Sequence, residues 1–250
     1  MTSAQELWHS VRREAEAIAA GDPVLAPSLA RSVLDHPGLG GALALQIGQR
    51  LGARDEDRAR FARVANEAFA AEPGLVEAAS LDLAGIVDHD PATTALLPPL
   101  LNFKGYVALQ AFRVSNWLWR CGRRDFALLM QSACSERLQV SIHPSASIGS
   151  SVFLDHATGI IIGALSTIGD GATILQNVTV GRAPENPARA PRIGRFVLLS
   201  SGASVIGDIS IGDFARIGAG AVVTHDVPAG CTAVGVPARL TNCPEDLASA

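Results

Sequence analysis

The sequence predicts an α+β protein: an all-helical domain over residues 1–138, a left-handed parallel β-helix over residues 139–240, and a short tail over residues 241–250. Three observations predict this order. Apolar residues recur at helical spacing in the first half, they recur at every sixth residue in the second half, and a proline-rich stretch interrupts the second rhythm. A strict period of six fits neither a helix nor a doubly wound sheet, so the second half is expected to stack short strands and turns.

Composition and charge exclude several classes of partner. The 250 residues carry a formal net charge of −4 and 48% of them are hydrophobic, which is ample for a buried core and leaves no basic surface for nucleic acid. No apolar run reaches the roughly 18 residues of a membrane span. The charged residues Arg12, Arg13 and Glu14 are unlike a signal peptide. We therefore expect a cytoplasmic protein that binds neither nucleic acid nor membrane.

The four cysteines are widely spaced along the chain. Cys121, Cys134, Cys231 and Cys243 include no CxxC pair, so both a zinc site and a disulfide framework are poor interpretations. Four reduced thiols in a cytoplasmic protein is the better one. The sequence therefore predicts no metal centre and no disulfide.

The first half shows helical amphipathicity. Leu7, Val11 and Ala15 form part of one apolar stripe, with charged residues on the other faces of the same segment. Proline and glycine residues separate this segment from the next ones. The predicted helices are Glu6–Ala20, Leu39–Leu51, Asp55–Ala70, Phe103–Trp119 and Asp125–Leu138. We interpret this half as a helical bundle or cap.

Aliphatic residues recur every six positions in the second half. Each hexad is one short strand plus a turn, and three hexads make a triangular coil, so an aliphatic side chain stacks on its equivalent 18 residues later. The frame slips by two between the first run and the second. The runs are Ile142, Ile148, Leu154, Ile160; then Ile162, Ile168, Ile174, Val180; then Ile193, Leu199, Val205, Ile211, Ile217, Val223.

Residues 181–192 interrupt the hexads between the second run and the third. This stretch contains Pro184, Pro187 and Pro191 and has no place in a coil, so it is expected to leave the prism as an external loop. Loops that leave a rigid scaffold are where binding and chemistry tend to lie.

One segment is more specific than the repeat. Residues 154–160 read LDHATGI, which resembles the signature of the serine O-acetyltransferase family, a group of hexapeptide-repeat acyltransferases. Other stretches resemble the same family, so the resemblance covers nearly the whole chain. They are residues 100–119, 122–124, 142–144, 218–220 and 235–239.

The resemblance implies transfer of an acetyl group from the co-substrate acetyl-CoA to serine or a closely related hydroxyl amino acid. His156 would be the general base and Asp155 its catalytic partner, while Asp90 and Arg189 would bind the acceptor. The coenzyme would lie between adjacent prisms of a homotrimer, or of a hexamer made from two trimers. The residues implied in coenzyme binding are Ser201, Gly202, Arg216, Ala219, Gly220 and Arg239.

Each of these residues also has a structural interpretation. Asp155 occupies a hexad position where small or acidic residues are common, and Asp90 before a proline can initiate a turn. Arg189 in a proline-rich loop can be a solvated charge. His143, which follows the first inward isoleucine, is interpreted as a structural corner residue.

The chain also departs from the family at the acceptor side. Ser141, Ala164 and Ala190 replace a family aspartate, glutamate and histidine, and residues 180–184 replace a glycine-rich turn. These changes leave open an acyltransferase with another acceptor or acyl group, and a weak or inactive assembly protein. The C-terminal residues 245–250 lack the terminal isoleucine of relatives that dock into cysteine synthase, so we expect no such complex.

Overall fold

Helices form the first part of the chain. The computed structural model describes residues 4–183 and 188–244, and the chain divides into two units, Met1–Ala133 and Cys134–Ala250. Its helices are α1 (Ala4–Gly21), α2 (Ala26–Leu29), α3 (Leu39–Leu51), α4 (Asp55–Ala71), α5 (Gly74–His89), α6 (Leu97–Asn102), α7 (Lys104–Arg120) and α8 (Arg124–Leu138), with a π-helical turn at Ala30–Leu34. None of the described helices combines the length and apolar composition that crossing a membrane requires.

The five predicted helices are confirmed, with ends that differ by no more than two residues. Helices α2, α5 and α6 were not predicted, because prolines stand at or beside their starts. Proline is tolerated in the first turn of a helix, where its missing N–H has no intrahelical acceptor. Pro27 and Pro98 occupy such positions in α2 and α6.

A buried ion pair ties α5 to α7. The Asp82 carboxylate of α5 is fully buried, and Arg113 of α7 donates to it from Nε at 3.1 Å and from Nη2 at 2.7 Å. Gln110, one turn earlier on α7, donates from Nε2 at 3.0 Å. A carboxylate is stable in a core only when its charge is paired and its oxygens are hydrogen-bonded, so these three side chains act as one group.

The second unit is the predicted triangular prism. Its strands are β1 (Val140–Ile142), β2 (Ser147–Ile148), β3 (Phe153–Leu154), β4 (Ile160–Ile162), β5 (Thr167–Ile168), β6 (Thr173–Ile174), β7 (Thr179–Gly181), β8 (Arg192–Ile193), β9 (Leu198–Leu199), β10 (Ser204–Ile206), β11 (Ser210–Ile211), β12 (Arg216–Ile217), β13 (Val222–Val223), β14 (Thr232–Val234) and β15 (Arg239–Thr241). Sheet A has the order β1-β4-β7-β10-β13, sheet B the order β2-β5-β8-β11, and sheet C the order β3-β6-β9-β12-β14-β15. Successive strands belong to successive faces, as three hexads per coil require.

Two insertions disturb the regular stacking of the coils. Ile193 stacks on Ile211, 18 residues later, as the sequence predicts. The partner of Ile142 is instead Ile162, because the turn after β3 holds two extra residues. Ile168 pairs with Ile193, because the external loop lies between them. The predicted spacing of 18 residues is thus confirmed wherever neither insertion intervenes.

The C-terminal end corrects the prediction of four reduced thiols. Strand β15 turns back and pairs antiparallel with β14, with Thr232 opposite Thr241. This reversal places Cys231 beside Cys243, at a Cα–Cα distance of 4.1 Å, and the two form a disulfide. Cys121 and Cys134 are free thiols, the first exposed and the second buried. The separation of the cysteines along the chain was misleading, because the hairpin lies outside the hexad rhythm.

Two stretches of interest lie outside the described residues. They are the loop residues 184–187, which include two of the three loop prolines, and the tail 245–250. The expectation about cysteine synthase depends on that tail and stays a prediction.

Candidate active site

The candidate residues of the prism lie along two of its three edges. The histidine edge consists of the turns that lead from sheet C to sheet A, residues 155–159, 175–178, 200–203 and 218–221. The loop edge consists of the turns that lead from sheet A to sheet B, residues 143–146, 163–166, 182–191 and 207–209. The two insertions fall one on each edge, so both irregularities of the repeat coincide with candidate site residues.

His156 lies at the tip of a tight turn on the histidine edge. It and Ala157 are consecutive non-glycine residues with positive φ, 54° and 61°. The Ala157 N–H donates to the Asp155 carbonyl, and the Thr158 N–H donates to the His156 carbonyl at 2.8 Å. Two successive turns of this kind are sterically costly and persist only where surrounding structure holds them. The result is an imidazole that is 72% exposed.

The structure below the turn explains how the strain is held. Ala157 is fully buried, the Gly159 N–H donates to the Gln139 carbonyl at 2.8 Å, and the Asn177 N–H donates to the Thr158 carbonyl at 2.8 Å. Gly159 has a φ of 77°, and a Cβ there would overlap the Asn177 side chain. The LDHATGI segment is therefore also a structural requirement of this turn.

Asp155 gives the imidazole a nearby negative charge. Its Oδ1 is 3.7 Å from Nε2 of His156, which is too long for a hydrogen bond and close enough for electrostatic attraction. A carboxylate at this distance favours the protonated imidazole. An exposed imidazole with a carboxylate beside it can accept a proton from a hydroxyl group.

The histidine edge also presents a row of backbone donors. The N–H groups of Gln176, Ser201 and Ala219 occupy equivalent positions in three successive coils, and none donates to another described residue. In contrast, the N–H of Gly202 donates to the Gln176 carbonyl and the N–H of Gly220 to the Ser201 carbonyl, each at 2.9 Å. The glycines therefore shape the turns, and their neighbours present the available donors.

Gln176 was missed by sequence reasoning. Its Oε1 is buried and has no hydrogen-bond partner among the described residues, and it lies one coil from His156. The hexad register could have identified it, since Gln176 occupies the position of Ser201 and Ala219 in the preceding coil.

The two arginines expected near the coenzyme phosphates lie on sheet C. Arg216 begins β12 and Arg239 begins β15, and both are exposed. Neither forms an ion pair within the described ranges 4–183 and 188–244.

Arg189 lies on the loop edge, where it shares a carboxylate with Arg192. Its Nη1 donates to Oδ2 of Asp208 at 3.1 Å, and Nη1 of Arg192 donates to Oδ1 at 2.9 Å. Hydrogen bonds from Arg192 and Arg189 lower the pKa of Asp208. Two guanidinium groups on one carboxylate leave a net positive charge at this corner. Within one chain, Arg189 and His156 lie on different edges of the prism.

Asp90 lies in the helical unit, directly after α5. Its carboxylate accepts hydrogen bonds from the Ala92 N–H at 2.9 Å and from Oγ1 of Thr93 at 2.7 Å. The turn-forming role that the sequence left open is therefore present. Its role toward an acceptor stays a prediction.

His143 is anchored in the first turn of the loop edge. Its Nδ1 accepts a hydrogen bond from the Ser145 N–H at 3.1 Å. Burial, together with the positive charge of Arg182, lowers the pKa of His143.

The pKa of His143 predicts acid destabilisation of the prism. The unfolded chain takes up this proton near pH 6.5, about the ordinary value, whereas the folded protein takes it up only at lower pH. The contribution of neutral His143 to stability is therefore complete above pH 6.5 and is lost as the pH falls. We expect the free energy of unfolding to depend less on pH between about 7 and 5 in His143→Gln, measured by urea denaturation. The exposed His225 supplies the control: an equal change in His225→Gln would contradict the assignment.

The described residues contain no group of three or more histidine, cysteine, aspartate or glutamate side chains that could hold a metal ion. The expectation that no metal takes part stays a prediction.

Known proteins resemble the chain in both of its units. A family model described as serine acetyltransferase, N-terminal, matches residues 7–111. The serine acetyltransferase of Salmonella typhimurium is 40% identical over 239 residues, which cover 95% of this chain and 88% of that protein. The chain belongs to the serine acetyltransferase family. Its members are acyltransferases, so this protein is an acyltransferase.

Solved structures of the family agree with the fold. A serine acetyltransferase in complex with CoA superposes with a TM-score of 0.92 at 35% identity, over 95% of this chain and 100% of that one. The soybean enzyme complexed with serine has a TM-score of 0.91 at 38% identity, over 95% and 98% of the two chains. These likenesses confirm the predicted α+β class, helical domain first and left-handed β-helix second.

Proposed function

We propose that the protein transfers the acetyl group of acetyl-CoA to the hydroxyl group of serine, with His156 as general base. Family membership supports the reaction, and relatives crystallised with CoA and with serine support the two substrates. The observation that carries the proposal is local: an exposed imidazole lies beside a carboxylate, on the same edge as a row of unpaired backbone donors.

The chemistry follows from what each group can do. The imidazole of His156 takes the proton of the serine hydroxyl while the oxygen attacks the thioester carbonyl carbon. The C–O bond forms, the C–S bond breaks, and the departing thiolate receives the proton from the imidazolium. The products are O-acetylserine and CoA. Asp155 stabilises the imidazolium electrostatically, and this charge matters more because Ser141 supplies none.

The coenzyme is proposed to lie along the histidine edge. The N–H groups of Gln176, Ser201 and Ala219 are separated by about 4.8 Å per coil, the spacing of neighbouring strands. An extended chain with amide carbonyls can follow such a row and accept hydrogen bonds from it. Arg216 and Arg239, both without an ion-pair partner among the described residues, are suited to the phosphates.

The acceptor residues favour a site completed by a second subunit. Arg189 is on the loop edge and His156 on the histidine edge, so one prism does not bring them together. In a homotrimer of prisms packed side by side, the loop edge of one subunit faces the histidine edge of the next. We place the coenzyme and serine in that groove, with Arg189 and Asp90 toward serine. Pairing of two trimers into a hexamer is equally compatible with this arrangement.

Arg189→Ala tests the acceptor side. Loss of a charge-assisted hydrogen bond to the serine carboxylate, worth about 1.5–3 kcal/mol, should raise KM for serine roughly 10- to 100-fold. Steady-state kinetics with varied serine measure the effect. Arg195→Ala is the matched control, because Arg195 is another exposed arginine of the prism that pairs with an aspartate, Asp213, at 2.8 Å. A similar rise of KM in both variants would refute a specific role for Arg189.

A substrate screen tests the reaction itself. Free thiol released from acetyl-CoA is measured with serine, homoserine and threonine as acceptors. We expect release that depends on serine. A preference for homoserine or threonine would move the assignment to another acceptor, and the absence of turnover with all three would favour an assembly protein. The replacements Ser141, Ala164 and Ala190 are the observation that makes these outcomes worth separating.

A further inference from the structure

We propose that the helical unit contains a second small-molecule site, which binds a short aliphatic carboxylate through Arg50. The site is a cavity of about 380 Å³ between α1, α2, α3, α6 and the π-helical turn. Its volume lies within the range of small-molecule sites, about 300–1,000 Å³. All of its lining residues belong to the helical unit, so the proposal is independent of the acetyl transfer assigned to the prism.

Two buried polar side chains line the cavity without a partner. Gln46 of α3 is 4% exposed and Ser32 of the π-helical turn is 8% exposed. Neither side chain makes a hydrogen bond to any part of the chain that the structure describes. Removing such groups from water without a partner costs about 1–3 kcal/mol each. Their retention at these positions indicates that a molecule in the cavity supplies the missing partners.

The charge of the cavity selects an anion. Arg50, at the C-terminal end of α3, is the one charged residue of the lining, and no carboxylate accompanies it. Its Nη2 donates to the Leu101 carbonyl at 2.5 Å, and it forms no ion pair with another described residue. The remaining N–H groups of the guanidinium stay available in a planar fork, a geometry that matches a carboxylate.

The remaining walls select the body of the ligand. Ile18, Leu29, Leu97 and Leu101 give most of the cavity an apolar surface. A short hydrocarbon chain fits this surface, with its carboxylate at Arg50 and the Gln46 amide and Ser32 hydroxyl within the same cavity. A larger or strongly polar anion would leave the leucine and isoleucine side chains without apolar contact.

Hexanoate is the probe that tests the site. Binding to the full-length protein is measured by calorimetry at constant ionic strength, with hexanamide as the uncharged analogue. We expect saturable binding of hexanoate, at least tenfold tighter than that of hexanamide. Arg50→Met should weaken hexanoate binding at least tenfold, whereas Arg54→Met, which removes an exposed arginine outside the cavity, should leave it unchanged. Equal binding of the two probes, or of hexanoate to both variants, would overturn the proposal.

Methyl NMR of the wild-type protein gives a second test that does not depend on a folded variant. Hexanoate should shift the methyl resonances of Leu29, Leu97 and Leu101. Ile18 and Leu25, at 40% and 46% exposure, leave an apolar rim that a second copy of the chain could cover instead. Absence of these shifts, as a cavity closed by a second copy would produce, contradicts the site.

Discussion

His156→Ala should lower kcat for serine-dependent release of CoA by about 10²–10⁴-fold, the usual contribution of a general base. The reason is that no other described side chain on the histidine edge combines exposure, an acceptor nitrogen and a carboxylate 3.7 Å away. Affinity for CoA should remain close to that of the wild type, because the row of backbone donors does not involve the imidazole. A thiol-release assay and a CoA titration of the same preparation measure both quantities.

His225→Ala is the matched control for this prediction. His225 is also an exposed histidine in a turn of the prism, but it belongs to the loop edge. We expect its kcat to stay within a factor of two of the wild type. A His156→Ala enzyme that retains most of its kcat would remove His156 from the mechanism, whatever the family signature suggests.

Asp82→Asn should lower the free energy of unfolding by about 3–5 kcal/mol. The substitution keeps the shape of the side chain but leaves the Arg113 guanidinium in the core without its charge partner. Gln110 loses an acceptor of full negative charge at the same time. Urea denaturation followed by circular dichroism measures the change, because the helical unit dominates the helical signal.

A surface ion pair of the same unit provides the comparison. Glu72 and Arg120 approach to 2.9 Å with both side chains largely exposed, so Glu72→Gln should cost no more than about 1 kcal/mol. Replacing both buried partners, in Asp82→Leu with Arg113→Met, should recover much of the lost stability, because neither charge is then left alone. An Asp82→Asn protein as stable as Glu72→Gln would show that the buried pair contributes nothing beyond an ordinary surface contact.

The prism could be predicted from the sequence because its side-chain requirement is strict. Each inward position must be aliphatic and must fall in one register, so Ile193, Leu199 and Val205 identify three consecutive faces. Even the irregularities were visible. The slip of two residues before Ile162 corresponds to the long turn that presents His156, and the proline-rich stretch corresponds to the external loop.

Other features could not be predicted, because they depend on contacts that the repeat does not encode. Asp82 and Arg113 lie on two helices, and their pairing is decided by how α5 and α7 pack. The Cys231–Cys243 disulfide requires an antiparallel reversal after the last regular coil.

The row of unpaired donors on the histidine edge belongs to the backbone. Side-chain patterns report backbone hydrogen bonding only through the register, which is why the glycines were predicted and Gln176 was not. In the structure, Gly202 and Gly220 use their N–H groups between coils, and Ser201 and Ala219 keep theirs.

A crystal structure of the protein with CoA tests the central claim most directly. We predict that the coenzyme lies along the histidine edge against the N–H groups of Gln176, Ser201 and Ala219. Its sulfur should lie beside the imidazole of His156, with room between them for the hydroxyl group of serine. Coenzyme bound along a different edge, or a sulfur with no such space next to His156, would contradict the proposed mechanism.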